Sequence, residues 1–143
     1  MPYFKDTEEL YACLGTLFQW VSIDAAIGPK IQAAKIITQF TYKDPDGQIT
    51  IDAKTGGEEP GTFFTVHFGE TDLVPDVSMS MKADVGHQFW FGKVNLMMAV
   101  NRRQIVPKGP MATIFKLLPV IVPTFKIYPK VLEDLGKSEL ILK

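Results

Sequence analysis

With 143 residues, 46% hydrophobic, 22% charged and a formal net charge of −1, the chain fits one domain spanning 1–143 that buries roughly 68% of its unfolded surface. Its longest unbroken apolar run, Leu117 to Pro123, is far shorter than the roughly 20 residues that cross a bilayer as a helix, so the chain reads as soluble or at most surface-bound. The single cysteine, Cys13, excludes an internal disulfide, and the acid-bearing start Lys5-Asp6-Thr7-Glu8-Glu9 is unlike a secretion signal; both suit a reducing cytoplasm.

Asp6 and Glu9 fit a capping box, after which Leu10, Leu14, Leu17, Phe18 and Val21 recur at helical spacing. The pattern predicts an amphipathic helix over 7–21. A shorter helix is expected over 24–31, around Gly28-Pro29. From Lys35 the period drops to two, with Ile36, Thr38, Phe40 and Tyr42 on one side of a strand. Asp44-Pro45-Asp46-Gly47 is a turn because proline presets its φ and glycine accepts φ > 0, and it closes a hairpin onto Ile49, Ile51 and Ala53. After a second turn region, Thr55 to Gly61, alternation returns in Phe64, Val66 and Phe68, then in Val77, Met79 and Met81. Four strands in sequence predict an antiparallel meander with one apolar face.

Helical spacing resumes after Lys82, with Val85, Phe89 and Trp90 inward and Gly92 placed to stop the helix. Asn95 is placed to cap a second short helix over 96–101. Gln104-Ile105-Val106 reads as a fifth strand, which Pro107 confines to an edge. Met111, Ile114, Phe115, Leu118, Ile121, Val122 and Phe125 return to helical spacing, interrupted by Pro119 and Pro123. One helix is therefore expected over 110–118, with kinked or short turns beyond it.

The two histidines, His67 and His87, are twenty residues apart and Cys13 lies on another element, so no spacing matches a metal site. The sequence carries no glycine-rich phosphate loop, nucleophile elbow or dinucleotide fingerprint; no cofactor and no catalysis are expected. His87, near a helix start, reads as a solvated or capping residue, and Glu58 and Glu59 as solvated turn acids. Nucleic-acid binding is not expected, because helical geometry sends the rings of Phe89-Trp90-Phe91 in different directions and denies them a shared stacking platform. Charge is nevertheless segregated: 1–84 holds 13 acids and 6 bases, whereas 85–132 holds no acid and seven bases, Lys93, Arg102, Arg103, Lys108, Lys116, Lys126 and Lys130. That basic, apolar half suggests an anionic partner such as a lipid headgroup or the phosphates of an acyl-coenzyme A, the alternative being lysines that simply solubilise an apolar segment.

From Val77 onward the features come in a specific order: Val77-Ser78-Met79-Ser80-Met81, a short helix ending in Phe91-Gly92-Lys93-Val94-Asn95, a second helix, a basic strand, Lys108-Gly109-Pro110-Met111 and Phe115-Lys116-Leu117-Leu118-Pro119. This order resembles a sterol carrier protein type 2 domain, and the late Tyr128-Pro129-Lys130 is similar to its stand-alone prokaryotic members. Asn95-Leu96, Asn101 or Arg102, and Gly109-Pro110 stand where that family has Asn-Pro, a glycine and Gly-Asp. The resemblance implies an α/β (α+β) fold: a five-stranded, largely antiparallel sheet with helices packed on one face, enclosing an apolar tunnel. It further implies a ligand such as a fatty acid, acyl-coenzyme A, sterol or other lipid, and no enzyme activity.

Met79, Met81, Met97, Met98 and Met111 fall in the elements that the resemblance places around this tunnel, and thioethers adapt to varied apolar shapes. The expected lining is Phe89, Trp90, Met97, Met98, Phe115 and Leu118, with Phe64, Val66, Met79 and Met81 from the sheet. Arg102 and Arg103 are the expected headgroup residues, because guanidinium forks match phosphate oxygens. The expected function is non-catalytic binding or transfer of a hydrophobic ligand, with transient contact to an anionic membrane surface; a homodimer is compatible with it. Two alternatives stay open: an accessory subunit presenting a hydrophobic substrate to a partner enzyme, and a structural or oligomerisation module with a filled core.

Overall fold

In the computed structural model, which describes residues 2–143, the first helix forms where its caps predict. Asp6 accepts a hydrogen bond from the Glu9 amide at 2.8 Å, and Glu9 reaches back to the Lys5 amide at 3.0 Å. Helix α1 (Thr7–Leu10) continues through a π-helical turn, Tyr11–Gly15, into α2 (Thr16–Ser22). Leu10, Leu14, Leu17, Phe18 and Val21 form its buried stripe, each large apolar side chain contributing about 1.5–3 kcal/mol. Helix α3 (Gly28–Ala34) starts later than the expected 24–31. Asp24 explains the shift: its carboxylate accepts from the Ala26 and Ile27 amides, both at 2.8 Å, and holds that stretch as a turn. Pro29 then occupies the first helical turn, where its missing N–H costs nothing.

Strands β1 (Ile37–Lys43), β2 (Gly47–Asp52), β3 (Thr65–Phe68), β4 (Val77–Lys82) and β5 (Ile105–Lys108) form one sheet in the order β3-β2-β1-β4-β5. The β1–β2 hairpin is as expected, with Phe40 opposite Ile49, but the left-handed residue of its turn is Asp44, at φ 57°, and not Gly47, which already belongs to β2. The expected meander is not: β4 lies parallel beside β1, with Phe40 next to Met79, instead of following β3. Asp76 supplies a physical reason. Its carboxylate accepts from the Ile37 amide and its own amide donates to the Ile37 carbonyl, both at 2.8 Å, clamping the start of β4 to the start of β1. That amide holds the Asp76 carboxyl below its usual range, with help from Lys54 at 3.4 Å. All other pairings are antiparallel, so the sheet is mixed.

Helix α4 (Ala83–Phe89) is followed by Gly92 at φ 74°, and Asn95 caps α5 (Leu96–Asn101) by accepting from the Met98 amide at 3.0 Å. Both features match the expectation. Strand β5 pairs only with β4, leaving Pro107 on a sheet edge. Helix α6 (Met111–Ile121) runs through Pro119, beyond the expected 110–118, and leads through a 3-10 turn (Val122–Lys126) into α7 (Ile127–Asp134). The expectation of mere turns misses α7 because Pro129 lies in its first turn, where proline is tolerated. Together 111–134 is a 24-residue helical stretch, long and apolar enough by length and composition to cross a membrane, which the shorter apolar run alone does not suggest. Here Ile114, Thr124, Tyr128, Val131 and Leu132 from that stretch are buried in the fold.

Candidate functional site

The sheet face that carries Phe40 and the helices packed over it enclose a cavity of about 70 Å³. Its sheet wall is Thr38 and Phe40 from β1, Ile51 from β2, and Val77 and Met79 from β4, with Phe64 just before β3. Opposite lie Phe18 and Val21 of α2, Ile31 of α3, Phe89 with the following Trp90, and Leu96 of α5. Helix α6 adds Ile114, Leu117, Leu118 and Ile121, one face at i, i+3, i+4, i+7 spacing, and the 3-10 turn adds Thr124. Aromatic rings brace this wall: Phe18 stacks on Phe40 at 5.5 Å between centroids and meets Trp90 edge-on at 5.3 Å. Phe89 and Trp90 line the cavity, while Phe91 packs against Tyr128 at 4.9 Å, so the aromatic triplet does fan out.

Ligand pockets usually span roughly 300–1,000 Å³, so a lipid chain requires the walls to move apart. Helix α6 is a loosely fixed wall, since Ile114 is its only buried residue. Apart from the hydroxyls of Thr38 and Thr124 and the indole N–H of Trp90, every lining side chain is apolar, and none is charged. Among the described residues no group of three or more His, Cys, Asp or Glu is arranged to hold a metal.

Of the ten residues expected to line a tunnel, the fold brings Phe64, Met79, Phe89, Trp90 and Leu118 together around the cavity. Val66, Met81, Met97, Met98 and Phe115 are outside its lining. Leu96 and Ala99 take the inward face of the short α5, which leaves Met97 59% and Met98 46% exposed. Met81 is buried near Gly86, which stands over the Tyr42 ring. Val66 on the outer strand pair and Phe115 beside the inward Ile114 are half-buried. Arg102 and Arg103 are exposed at the end of α5, and none of the seven cations of 85–132 forms an ion pair among the described residues.

Leu117 and Ile121, absent from the expected lining, share the helical face of Ile114, and periodicity alone points to them. Thr124 has a different signal: it is the one hydrogen-bonding side chain between Lys116 and Lys126. His87 is corrected from solvated to fully buried. Its Nε2 lies 2.8 Å from the Leu140 carbonyl and Nδ1 2.7 Å from the Tyr128 hydroxyl. A carbonyl only accepts, so Nε2 carries the proton and Nδ1 accepts from Tyr128. Burial lowers the His87 pKa, and burial pushes the Cys13 thiol up to about 12, where it is inert.

No family model matches the sequence, and no curated protein does. Solved structures do. The sterol carrier protein domain 2 of Helicoverpa armigera is 20% identical with a TM-score of 0.58, over 79% of this chain and 85% of that one. Sterol carrier protein 2 from Yarrowia lipolytica, in its apo form, is 14% identical with a TM-score of 0.53, over 88% and 89% of the two chains. A UbiJ-SCP2 ubiquinone synthesis protein is 10% identical with a TM-score of 0.51, over 80% and 85%. The mixed five-stranded sheet, its helical cover and these neighbours together establish that the chain has the fold of sterol carrier protein type 2 domains.

Proposed function

We propose that the chain is a non-catalytic carrier that binds a hydrophobic ligand between α6 and the sheet and hands it on. The observation that carries this reading is a nearly all-apolar cavity, one wall of which is a helix held by a single fully buried side chain. Each buried methylene contributes about 0.8 kcal/mol, so a ten-carbon chain supplies about 8 kcal/mol before binding costs and the work of moving α6. Two of the fold neighbours are sterol carriers by name, and this reading gives the chain ligands of that kind: sterols, fatty acyl chains or similar lipids. No nucleophile paired with a base lines the cavity, which supports carriage without chemistry. The buried lone Cys13 suits work in a reducing cytoplasm.

Exposed Met97, Met98, Val106 and Val122 lie within the stretch that has seven cations and no acid. That combination supports transient docking on an anionic membrane, with Arg102 and Arg103 receiving phosphate oxygens. Two copies meeting through these cations repel each other, which favours the membrane over a symmetric homodimer through this stretch. The accessory-subunit reading draws support from the likeness to a ubiquinone synthesis protein; stable copurification with an enzyme, and no lipid carried, favours it.

Native mass spectrometry of detergent-free protein tests the carrier reading, with a bound lipid as the expected result. In a Trp20→Phe variant the remaining Trp90, which lines the cavity, should change emission when a fluorescent fatty acid binds. A clean apo mass that takes up neither fatty acid nor acyl-coenzyme A, with silent Trp90 emission, overturns it.

A further inference from the structure

The two hydroxyl-bearing side chains of the cavity wall differ. Thr38 is half-buried on β1, whereas Thr124 is 1% exposed and its Oγ1 has no hydrogen-bond partner. A buried helical threonine commonly returns its hydroxyl to a carbonyl of the preceding turn. On the 3-10 turn Val122–Lys126 this one does not. Orphaned buried hydroxyls are rare because they forfeit hydration without replacement; one set in a cavity wall marks a place where a bound molecule supplies the partner.

The wall also limits which partner fits. It holds no Lys, Arg, His, Asp or Glu, so a carboxylate or phosphate drawn in beside Thr124 would lie in apolar surroundings without a counter-charge, at a cost one hydroxyl does not offset. An uncharged hydroxyl or carbonyl meets no such cost. A threonine hydroxyl both donates and accepts, and therefore serves either. We propose that Thr124 Oγ1 anchors the oxygen of an uncharged lipid, a long-chain alcohol or ketone, inside the cavity, while anionic lipids insert their chains and keep their heads outside. This assignment rests on the carrier reading above and narrows its ligand class. Tyr42 Oη is the other orphaned buried oxygen among the described residues, but Tyr42 is not part of the cavity lining and makes no such site.

Displacement of a fluorescent fatty acid from the full chain by dodecanol, dodecane or laurate tests the assignment. In Thr124→Val, which keeps the side-chain shape, dodecanol should bind about tenfold more weakly, the factor attached to one lost hydrogen bond. Dodecane and laurate should be unaffected. Thr124→Ser retains the hydroxyl and should keep dodecanol within about twofold of wild type. Without ligand, Thr124→Val should melt at a higher temperature than wild type, because no orphaned hydroxyl remains. A lower melting temperature means that the hydroxyl already has a partner, such as an enclosed water, and overturns the assignment. So does an unchanged dodecanol affinity, or an equal loss for all three competitors. A wild-type chain that binds neither the probe nor any competitor defeats the carrier reading and the assignment together, whereas intact laurate and dodecane binding without alcohol selectivity defeats the assignment alone.

Discussion

His87 shows how much one enclosed side chain can organise. It joins α4 to Tyr128 of α7 and to the Leu140 carbonyl near the C-terminus, and the edge of its ring packs on Phe4 at 5.2 Å. Burial lowers its pKa, opposed by the Leu140 carbonyl and by Asp84. An imidazole freed by unfolding titrates near pH 6.5, while the folded ring stays neutral there. The stability it contributes is therefore fully present above about pH 6.5 and is lost as pH falls from there through the lowered folded value. Thermal melts should show that downward slope in wild type and its absence in His87→Phe. At neutral pH the same variant should be less stable by about 1–3 kcal/mol, since the Tyr128 hydroxyl and Leu140 carbonyl lose their partner. A wild-type melting temperature that stays flat from neutral to mildly acidic pH contradicts this account.

At the scale of elements, α6 differs from α2. The α2 segment buries Leu17, Phe18, Val21 and Ser22, whereas α6 buries only Ile114. Few buried contacts mean a low local opening free energy. Hydrogen exchange should therefore be faster in α6 than in α2, and a bound fatty acid should slow α6 selectively; equal protection of the two helices in the free protein argues against α6 as the moving wall. The approach to α6 is set by Gly109, at φ 101°, where a Cβ would overlap the Asp76 carbonyl oxygen and lie 3.2 Å from Val77 Cα. Both obstacles are backbone atoms that a rotamer change cannot clear. Gly109→Ala should lower stability by about 1–3 kcal/mol, read as a shift in the urea midpoint, and should loosen the start of α6.

At the scale of the whole molecule, positive charge and several exposed apolar residues share one stretch of the chain. Four exposed large hydrophobics, Met97, Met98, Val106 and Val122, lie in the stretch that carries the seven cations. Flotation with phosphatidylserine vesicles should capture the protein, with less capture on phosphatidylcholine. Replacing Arg102 and Arg103 by Gln should reduce capture and weaken palmitoyl-coenzyme A more than palmitate or a neutral sterol. Exposed charges act over a Debye length of about 8 Å at physiological salt, so added salt should erase the difference between mutant and wild type without touching the neutral sterol. Equal affinity of the two proteins for all three ligands at low salt would reduce these arginines to solubilising charges.

The sequence by itself determined what depends on neighbours within a few residues. Asp6 starts the first helix, Gly92 ends a helical stretch, Asn95 caps α5, and the turn from Asp44 to Gly47 joins β1 to β2. Each is a backbone preference or a periodicity that a short window contains, and the segregation of charge is read as directly. Tertiary structure decided the rest because it depends on which distant segments meet. Alternation gives a strand two faces but no neighbour, and Asp76 gripping Ile37 accompanies the placement of β4 beside β1. A run of apolar residues tells which side chains leave water, yet only packing against the sheet divides them into filled core, cavity wall and exposed surface. That division sends Met98 outward and Leu118 to the cavity, encloses His87, and leaves Thr124 in the cavity wall with a hydroxyl that has no partner of its own.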